Sequence, residues 1–309
     1  MAGNKNATEV LDVDAQGVAR AAVILERGGL VAVPTETVYG LAARADKPEA
    51  VAAIYAAKGR PDFNPLIVHV TGAEQATRFA EVSLQARELM DAYWPGPLTL
   101  VLPLRTVSGL APAVTAGLPT VALRAPAHPI MRQLLERIEF PLAAPSANRS
   151  GFISPTTPGH VLTSLEGRID AVIDGGPCEA GVESTIVAVR EDGSLELLRP
   201  GPIEIAGALP PEATTGVEAP GQLASHYAPG KPLRLGATET NSDEFLIGFG
   251  QIAGDCTLSP TGDLMQAAAR LYDCLHQAAA SEKPRIAIAA IPEEGVGTAI
   301  NDRLRRAAA

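Results

Sequence analysis

The chain has 309 residues, enough for two domains with a substantial buried core. Only 4% of the residues are aromatic and the formal net charge is −10 at pH 7, which argues against nucleic acid binding as the main activity. The three cysteines, Cys178, Cys256 and Cys274, are too few and too scattered for a disulfide framework or a four-thiolate zinc site, so we expect a reducing compartment. Because the sequence shows neither a secretory signal nor an apolar stretch fit to span a membrane, we expect a cytoplasmic protein.

Helical and strand patterns are mixed in the first part of the chain, up to Pro200. Apolar spacing predicts a helix over 15–27 and a strand over 30–33, and a second helix over 49–58 ends at Gly59. Thr71 and Glu74 predict a capping box for another helix. Further strands are predicted over 66–70, 98–104, 120–124, 142–144 and 185–189. This mixture predicts one α+β domain over residues 1–203.

The chain changes character after residue 203. Residues 204–230 are rich in proline and glycine and have little periodicity, so we interpret them as an ordered linker. Strands are then predicted over 233–235, 245–249 and 286–291, alternating with helices over 262–280 and 296–307. This alternation is typical of a small parallel α/β domain, here over residues 231–309.

The common motifs for nucleotide binding and covalent catalysis are absent from the sequence. The Gly230-Lys231 pair is followed by Pro232 and so lacks the helix start of a P-loop. Neither Gly-x-Gly-x-x-Gly at the start of a helix nor Gly-x-Ser-x-Gly occurs. Nucleotide binding would therefore need another arrangement, and a covalent mechanism is not supported.

Polar residues at the ends of predicted elements are the candidate functional groups. The segment 34–40 follows an apolar strand, a place where the loops of such sheets carry function. Arg124 closes a strand and suits bidentate recognition of a carboxylate or phosphate, although an internal ion pair is equally common. Lys58 and Arg60 flank a helix end, where they could equally stabilise the helix terminus. His69 lies within a strand, where a lone histidine is more often a core residue than a ligand.

Three further segments have simple structural interpretations as well. Segment 145–151, which contains Ser146, offers hydroxyl and amide groups after a strand but is also typical of helix capping. Ser184 could simply begin a strand, and Arg199 with the following Pro-Gly could simply make a turn. Each segment is a weak indication by itself.

Taken together, these segments resemble the threonylcarbamoyl-AMP synthase family in its two-domain form. The resemblance rests, in chain order, on residues 34–40, 58–61, 64–66, 120–124, 145–148, 181–185 and 199–201. Residues 219–221 and 225–229 (Ser-His-Tyr-Ala-Pro) look like the family's linker, and residues 258–264 and 299–303 look like its small domain. The resemblance therefore covers nearly the whole chain.

The resemblance implies a fold, a reaction and a set of site residues. The fold is a twisted mixed sheet around a concave cavity, the YrdC-like domain, followed by a smaller Rossmann-like α/β domain. The reaction makes L-threonylcarbamoyladenylate and pyrophosphate from L-threonine, bicarbonate or CO2, and ATP, and other proteins then transfer the group to an adenosine beside the tRNA anticodon. The implied L-threonine contacts are Thr35, His69, Arg124, the backbone at Ala144, and Ser184. The implied ATP contacts are Lys58, Arg60, Asp62, Thr120, Ser146, Ser154, Arg199 and Tyr227.

Cofactor and partner expectations follow, with two competing classes of function. Mg2+ is expected to arrive with ATP, because no carboxylate cluster with metal-ligand spacing is visible, and we expect no tightly bound organic cofactor. An RNA-binding translation factor is disfavoured by the net charge and the few aromatic residues, so strong direct nucleic acid binding is not expected. A carbamoyl-transfer domain of the hydrogenase-maturation kind usually carries paired cysteines, and no Cys-x-x-Cys occurs here.

Overall fold

The computed structural model describes residues 7–211, 216–223 and 225–309, which form a ten-stranded mixed sheet and a four-stranded parallel sheet, both packed against helices. The strands are β1 (Glu9–Leu11), β2 (Val31–Val33), β3 (Gly40–Arg44), β4 (Ile67–His69), β5 (Leu98–Pro103), β6 (Thr120–Arg124), β7 (Leu142–Ala143), β8 (Ala171–Ile173), β9 (Thr185–Val189), β10 (Leu195–Arg199), β11 (Leu233–Arg234), β12 (Glu244–Gly248), β13 (Cys256–Thr257) and β14 (Arg285–Ile288). The helices are α1 (Ala15–Glu26), α2 (Pro48–Lys58), α3 (Ala73–Ala76), α4 (Leu84–Tyr93), α5 (Pro112–Thr115), α6 (Pro129–Arg137), α7 (Pro158–Leu165), α8 (Leu264–Ala280) and α9 (Val296–Ala307). Within these described ranges, no helix is long and apolar enough to cross a membrane.

The large sheet has the strand order β1-β8-β2-β3-β7-β4-β6-β5-β9-β10. Strands β4 and β6 are parallel, whereas β7 runs antiparallel to both β3 and β4, so the predicted mixed sheet is confirmed. The strands predicted over 120–124 and 185–189 are observed with the same bounds, as β6 and β9. Parallel pairing of β4 with β6 brings the ends of these two strands to one edge, which positions the site described below.

Local residue chemistry sets the ends of the helices that flank this sheet. Asp14 caps helix α1, and its carboxylate accepts backbone N–H groups of the first turn. Helix α2 has Pro48 in its first turn and ends at Gly59, which has a φ of +61° that glycine adopts without a steric penalty. The loop after α2 therefore starts at a fixed point, immediately beside the Lys58 side chain.

The predicted capping box before α3 is wrong. The side chain of Gln75, not of Glu74, accepts the backbone N–H of Thr71, at 2.8 Å. Gly72 occupies the cap position of α3, a four-residue helix without a side-chain cap. The glutamine one position further along competes successfully for the same donor.

The small sheet has the order β11-β14-β12-β13, and every pairing in it is parallel, which confirms the predicted parallel α/β pattern. Helices α8 and α9 pack on it through buried apolar side chains such as Leu271, Leu275 and Ile300. The predicted domain limits at residues 203 and 231 fall between β10 and β11, and these limits stay a prediction.

Cys256 in β13 and Cys274 in α8 form a disulfide, with their Cα atoms 6.0 Å apart. The expectation of a reduced set of cysteines is therefore corrected for this pair, whereas Cys178 is a free, buried thiol. The two cysteines become neighbours only when α8 packs against the edge strand β13, and this tertiary contact has no signature in their spacing.

Candidate active site

Strand ends of the large sheet bring the predicted L-threonine contacts together. His69 ends β4 and pairs in register with Arg124, which ends β6. Ala144 follows β7, Ser184 directly precedes β9, and Thr35 lies just beyond β2. All five residues line one cavity.

This cavity has a volume of about 40 Å³. Besides the five L-threonine contacts, its wall contains Arg60, Ser146, Arg199 and Tyr227 from the predicted ATP contacts. One water needs roughly 10–15 Å³ on this scale, and pockets for small molecules begin at about 300 Å³. The cavity in this conformation therefore has room for a few waters and is too small for ATP.

The guanidinium of Arg124 is fixed by three acceptors. Its Nη2 donates to Oε1 of Glu36 at 2.7 Å, its Nη1 to the Thr37 hydroxyl at 2.9 Å, and its Nε to the Gly96 carbonyl at 3.4 Å. Burial raises the pKa of the Glu36 carboxyl, but the charge and hydrogen bonds of Arg124 outweigh burial and hold the pKa below its ordinary value. Of the two roles considered for Arg124, the internal ion pair is therefore observed, and the side chain also lines the cavity, where it could bind a carboxylate. Glu36 was missed as a partner, although it lies inside the candidate segment 34–40.

Two cavity hydroxyls are held by hydrogen bonds in the protein. The Thr35 hydroxyl donates to the Val38 carbonyl at 2.7 Å and accepts the Val38 N–H at 3.2 Å. The Ser184 hydroxyl lies 2.7 Å from the Thr99 hydroxyl and accepts from Nη2 of Arg199 at 3.1 Å. Both hydroxyl oxygens are therefore fixed in position before any substrate arrives.

His69 is a neutral hydrogen-bonding group at ordinary pH. Burial, helped by the positive charge of Arg124, lowers the pKa of the imidazole to about 3. Its Nδ1 lies 3.3 Å from the Ile67 carbonyl, which assigns the proton to Nδ1 and leaves Nε2 as an acceptor. This histidine is buried in the sheet and also lines the cavity.

Lys58, Arg60 and Arg199 are buried cations that donate to backbone carbonyls. Lys58 Nζ donates to the carbonyl oxygens of Ser146, at 2.6 Å, and Asn148, and both arginines also donate to carbonyls. Among residues that the structure describes, none of the three forms a salt bridge with a carboxylate. Burial lowers the pKa of each, for Arg60 to about 10. Burial therefore disfavours the charged form of these side chains, and a bound anion would favour it.

Four of the predicted ATP contacts lie outside the cavity lining. Lys58 is behind the wall, and Asp62 is exposed on the loop after α2. Thr120 begins β6, at the opposite end of the strand from Arg124. Ser154 is buried and donates its hydroxyl to the Glu183 carboxylate at 2.5 Å. The assignment of these four residues to ATP stays a prediction.

Glu183 is a cavity residue to which sequence reasoning assigned no role. Its carboxylate accepts Nε of Arg303 at 2.9 Å and the Tyr272 hydroxyl at 2.9 Å, and these partners lie in α9 and α8. Burial raises its pKa, but the charges of Arg303 and Arg199 outweigh burial and hold the pKa at about 2. The C-terminal domain therefore supplies the counter-charge for a carboxylate in the cavity wall.

Residues 219–223 and 225–228, here called the strap, form another wall of the cavity. His226 and Tyr227 are 8% and 1% exposed, and both line the cavity. The backbone of Tyr227 has a φ of +63°, a value that residues other than glycine rarely adopt. Gly221 has a φ of +89°, and a Cβ atom there would lie 2.8 Å from Cδ of Arg199 and 2.9 Å from the Tyr227 hydroxyl, so glycine lets both side chains pack against the strap. The strap thus fills space beside the predicted ATP contacts.

No metal centre is formed by the residues that the structure describes. In that part of the chain, no three histidine, cysteine, aspartate or glutamate side chains are grouped closely enough to hold an ion. The entry of Mg2+ with the nucleotide stays a prediction.

Two family profiles match this chain. Residues 23–201 match the Sua5, YciO and YrdC family, which is described as "Telomere recombination". Residues 189–309 match the threonylcarbamoyl-AMP synthase C-terminal domain.

Similar proteins share nearly the full length of the chain. The threonylcarbamoyl-AMP synthase of Bacillus subtilis is 38% identical over 97% of this chain and 95% of its own length. That of Pyrococcus abyssi is 39% identical over 93% of this chain and 92% of its own length. The crystal structure of P. abyssi Sua5 complexed with L-threonine is 36% identical and has a TM-score of 0.89, covering 97% of this chain and 98% of that chain. The chain therefore belongs to the threonylcarbamoyl-AMP synthase family.

Proposed function

We propose that this chain makes L-threonylcarbamoyladenylate and pyrophosphate from L-threonine, bicarbonate or CO2, and ATP, a nucleotidyltransferase reaction. The observation that carries the proposal is the cavity in which Arg124, His69 and Ser184 meet beside an excess of buried cations. A site for an amino acid and a nucleotide needs an arginine that can bind the carboxylate and basic side chains that can bind the phosphates. This cavity has both.

L-Threonine binds through its carboxylate and its hydroxyl. Arg124 receives the carboxylate, and Glu36 positions the guanidinium for it. Nε2 of His69 is an acceptor for the substrate hydroxyl, and Thr35 and Ser184 satisfy the remaining polar groups. Valine, which lacks the hydroxyl, would leave these buried groups unpaired and should be rejected.

ATP binds with its phosphates near Lys58, Arg60 and Arg199. The anion offsets positive charge that burial otherwise disfavours at these side chains. Asp62, Thr120, Ser146 and Ser154 complete the proposed ATP contacts. Mg2+ enters with the triphosphate and shields charge on it.

The reaction forms two bonds in sequence. The amine of L-threonine adds to CO2, loses a proton and becomes a carbamate. A carbamate oxygen then forms a bond to the α-phosphorus of ATP, the bond from that phosphorus to the bridging oxygen breaks, and pyrophosphate leaves with the electron pair. The protein contributes by positioning the carbamate and by stabilising the departing negative charge with its buried cations.

Tyr227 of the strap contacts ATP once the strap has moved from the position seen here. The cavity of about 40 Å³ requires this movement, because ATP does not fit beside the seated tyrosine. When it closes over the bound nucleotide, the strap excludes water from the reactive adenylate. We further propose the domain limits 1–203, 204–230 and 231–309.

The product is passed to other proteins that modify tRNA adenosine, and the chain itself needs no strong binding to nucleic acid. Its net charge of −10 disfavours direct binding of tRNA and is consistent with release of the adenylate to another protein. We propose that the protein acts in the cytoplasm, where ATP, L-threonine and tRNA are available to it.

The direct test measures pyrophosphate in the presence of ATP, Mg2+ and bicarbonate. Release should require L-threonine and should be much slower with L-serine or L-valine. Equal rates with L-valine would contradict the proposed recognition of the substrate hydroxyl. The absence of pyrophosphate with L-threonine would contradict the proposed reaction.

A further inference from the structure

The C-terminal half of α9 and the residues that follow it contact the strap at four points. Arg306 Nη1 donates to the Leu223 carbonyl at 2.6 Å, and the Arg306 carbonyl accepts the His226 N–H at 3.1 Å. The Ser225 hydroxyl donates to the backbone oxygen of Ala309 at 3.2 Å. The guanidinium carbon of Arg303 lies 5.4 Å from the centre of the Tyr227 ring, within the range of a cation–π contact. We call Arg303 and Arg306 of α9, together with Ala309 just beyond the helix, the seat.

One carboxylate orients both arginines of the seat. Asp302 accepts Nη1 of Arg303 at 2.8 Å and Nε of Arg306 at 3.0 Å. Arg306 is about one quarter exposed, so its bonds to Asp302 and to Leu223 are partly shielded from water. The side chains of the seat are therefore held in place by ion pairs within α9.

The seated strap leaves polar groups without partners. Among the described residues, the Tyr227 hydroxyl, Nδ1 of His226 and Nη2 of Arg303 are buried and have no hydrogen-bond partner. Such groups, and the positive φ of Tyr227, oppose the seated conformation. The contacts with α9 must outweigh this opposition for the strap to stay in place.

We propose that the seat on α9 holds the strap in the position that excludes ATP, so that Arg306 is a positioning residue that controls ATP entry. The inference rests on the proposed function and gives the C-terminal domain a role in it. Because ATP cannot enter the cavity of about 40 Å³ while the strap is seated, only molecules with a released strap are competent to bind. The apparent affinity for ATP is then the intrinsic affinity multiplied by the released fraction, and weakening the seat raises that fraction.

The test compares Arg306→Met with Arg305→Met. Arg306→Met removes the side-chain bond to the Leu223 carbonyl and keeps the backbone bond to His226. Arg305 on the same helix pairs with Glu293 at 2.5 Å and is more than half exposed. Ser225→Ala is a milder second variant, since it removes one bond at an exposed position. For each full-length protein, the association rate of a fluorescent ATP analogue is measured by stopped flow, and hydrogen exchange is measured at the amides of His226 and Ala228.

We expect Arg306→Met to speed exchange at the His226 amide and to raise the association rate of the analogue about tenfold, the change expected when one charge-assisted hydrogen bond is lost. KM for ATP should fall while kcat does not rise. Ser225→Ala should shift both quantities less and in the same direction, and Arg305→Met should leave them unchanged.

Weaker ATP binding by Arg306→Met would overturn the inference, because it would place the seat in the nucleotide-bound state. Faster exchange with an unchanged association rate would also overturn it. Wild-type production of pyrophosphate with L-threonine is measured separately, so a failure of the seat is distinguishable from a failure of the proposed function.

Discussion

Nε of Arg303 lies 2.9 Å from the carboxylate of Glu183, so a charged residue of the cavity wall is neutralised from the last helix of the chain, 120 positions away. Arg303 is fully buried and Glu183 is 5% exposed. The pair therefore ties the docking of the C-terminal domain to the electrostatics of the active site.

Substituting only one partner of this ion pair should strongly destabilise the protein. Arg303→Met leaves the Glu183 charge buried without its main counter-charge, which costs about 3–5 kcal/mol of unfolding free energy. The double variant Arg303→Met with Glu183→Gln should recover a large part of this loss. Urea denaturation of the single and double variants measures both values, and additive losses would contradict the coupling.

L-Threonine binding should depend on Arg124. Arg124→Ala removes the proposed carboxylate partner and leaves Glu36 unpaired, so affinity for L-threonine should fall at least about 100-fold, or about 3 kcal/mol. Glu36→Gln should cost less, since it only loosens the guanidinium. Isothermal titration gives the affinities, and Arg132→Ala, which removes an exposed pair with Glu136, serves as the control. Full L-threonine affinity in Arg124→Ala would show that the arginine is only structural.

Tyr227→Phe should change stability and ATP binding in opposite directions. The buried Tyr227 hydroxyl lacks a hydrogen-bond partner among the described residues, a burial penalty of about 1–3 kcal/mol, so its removal should raise the melting temperature. If the hydroxyl contacts ATP after the strap moves, the same variant should bind ATP more weakly. Calorimetry and nucleotide titration test the pair of effects, and unchanged ATP affinity would remove Tyr227 from the nucleotide site.

Acid should destabilise the fold through His69. Its pKa is about 3 in the folded protein and about 6.5 in an unfolded chain, so between these values the unfolded state binds the extra proton. Stability is therefore lost as the pH falls from about 6.5 toward 3, by about 1.4 kcal/mol per pH unit from this residue. His69→Gln should flatten the pH dependence of the unfolding free energy by that amount. An equal slope in both proteins would mean that His69 is protonated in the fold.

Local sequence patterns predicted those helices and strands whose bounds are set by residues within or next to the element itself. Strand β6 was predicted with its observed bounds because a β-branched and apolar run lies between turn residues, and α2 was predicted because Gly59 ends it. Strand β3 was not predicted, since its residues Gly-Leu-Ala-Ala-Arg have low strand propensity and are strand-like only through pairing with β2 and β7.

The site was predictable as a set of segments but not as a network. Family resemblance named Arg124, Ser184 and Tyr227, yet the partners Glu36 and Arg303 depend on contacts between distant parts of the chain. The burial of Lys58 was equally invisible, because the carbonyls that it contacts belong to the loop after β7. No local pattern encodes such long-range pairings.

Mass spectrometry of the product tests most directly whether the protein joins L-threonine, CO2 and the adenylyl group of ATP. The purified full-length protein is incubated with L-threonine, ATP, Mg2+ and either ordinary or 13C-labelled bicarbonate. We predict a product with the mass of threonylcarbamoyl-AMP that becomes one mass unit heavier with the labelled carbon. An adenylate whose mass is unchanged by the label, or no adenylate that requires L-threonine, would contradict the account.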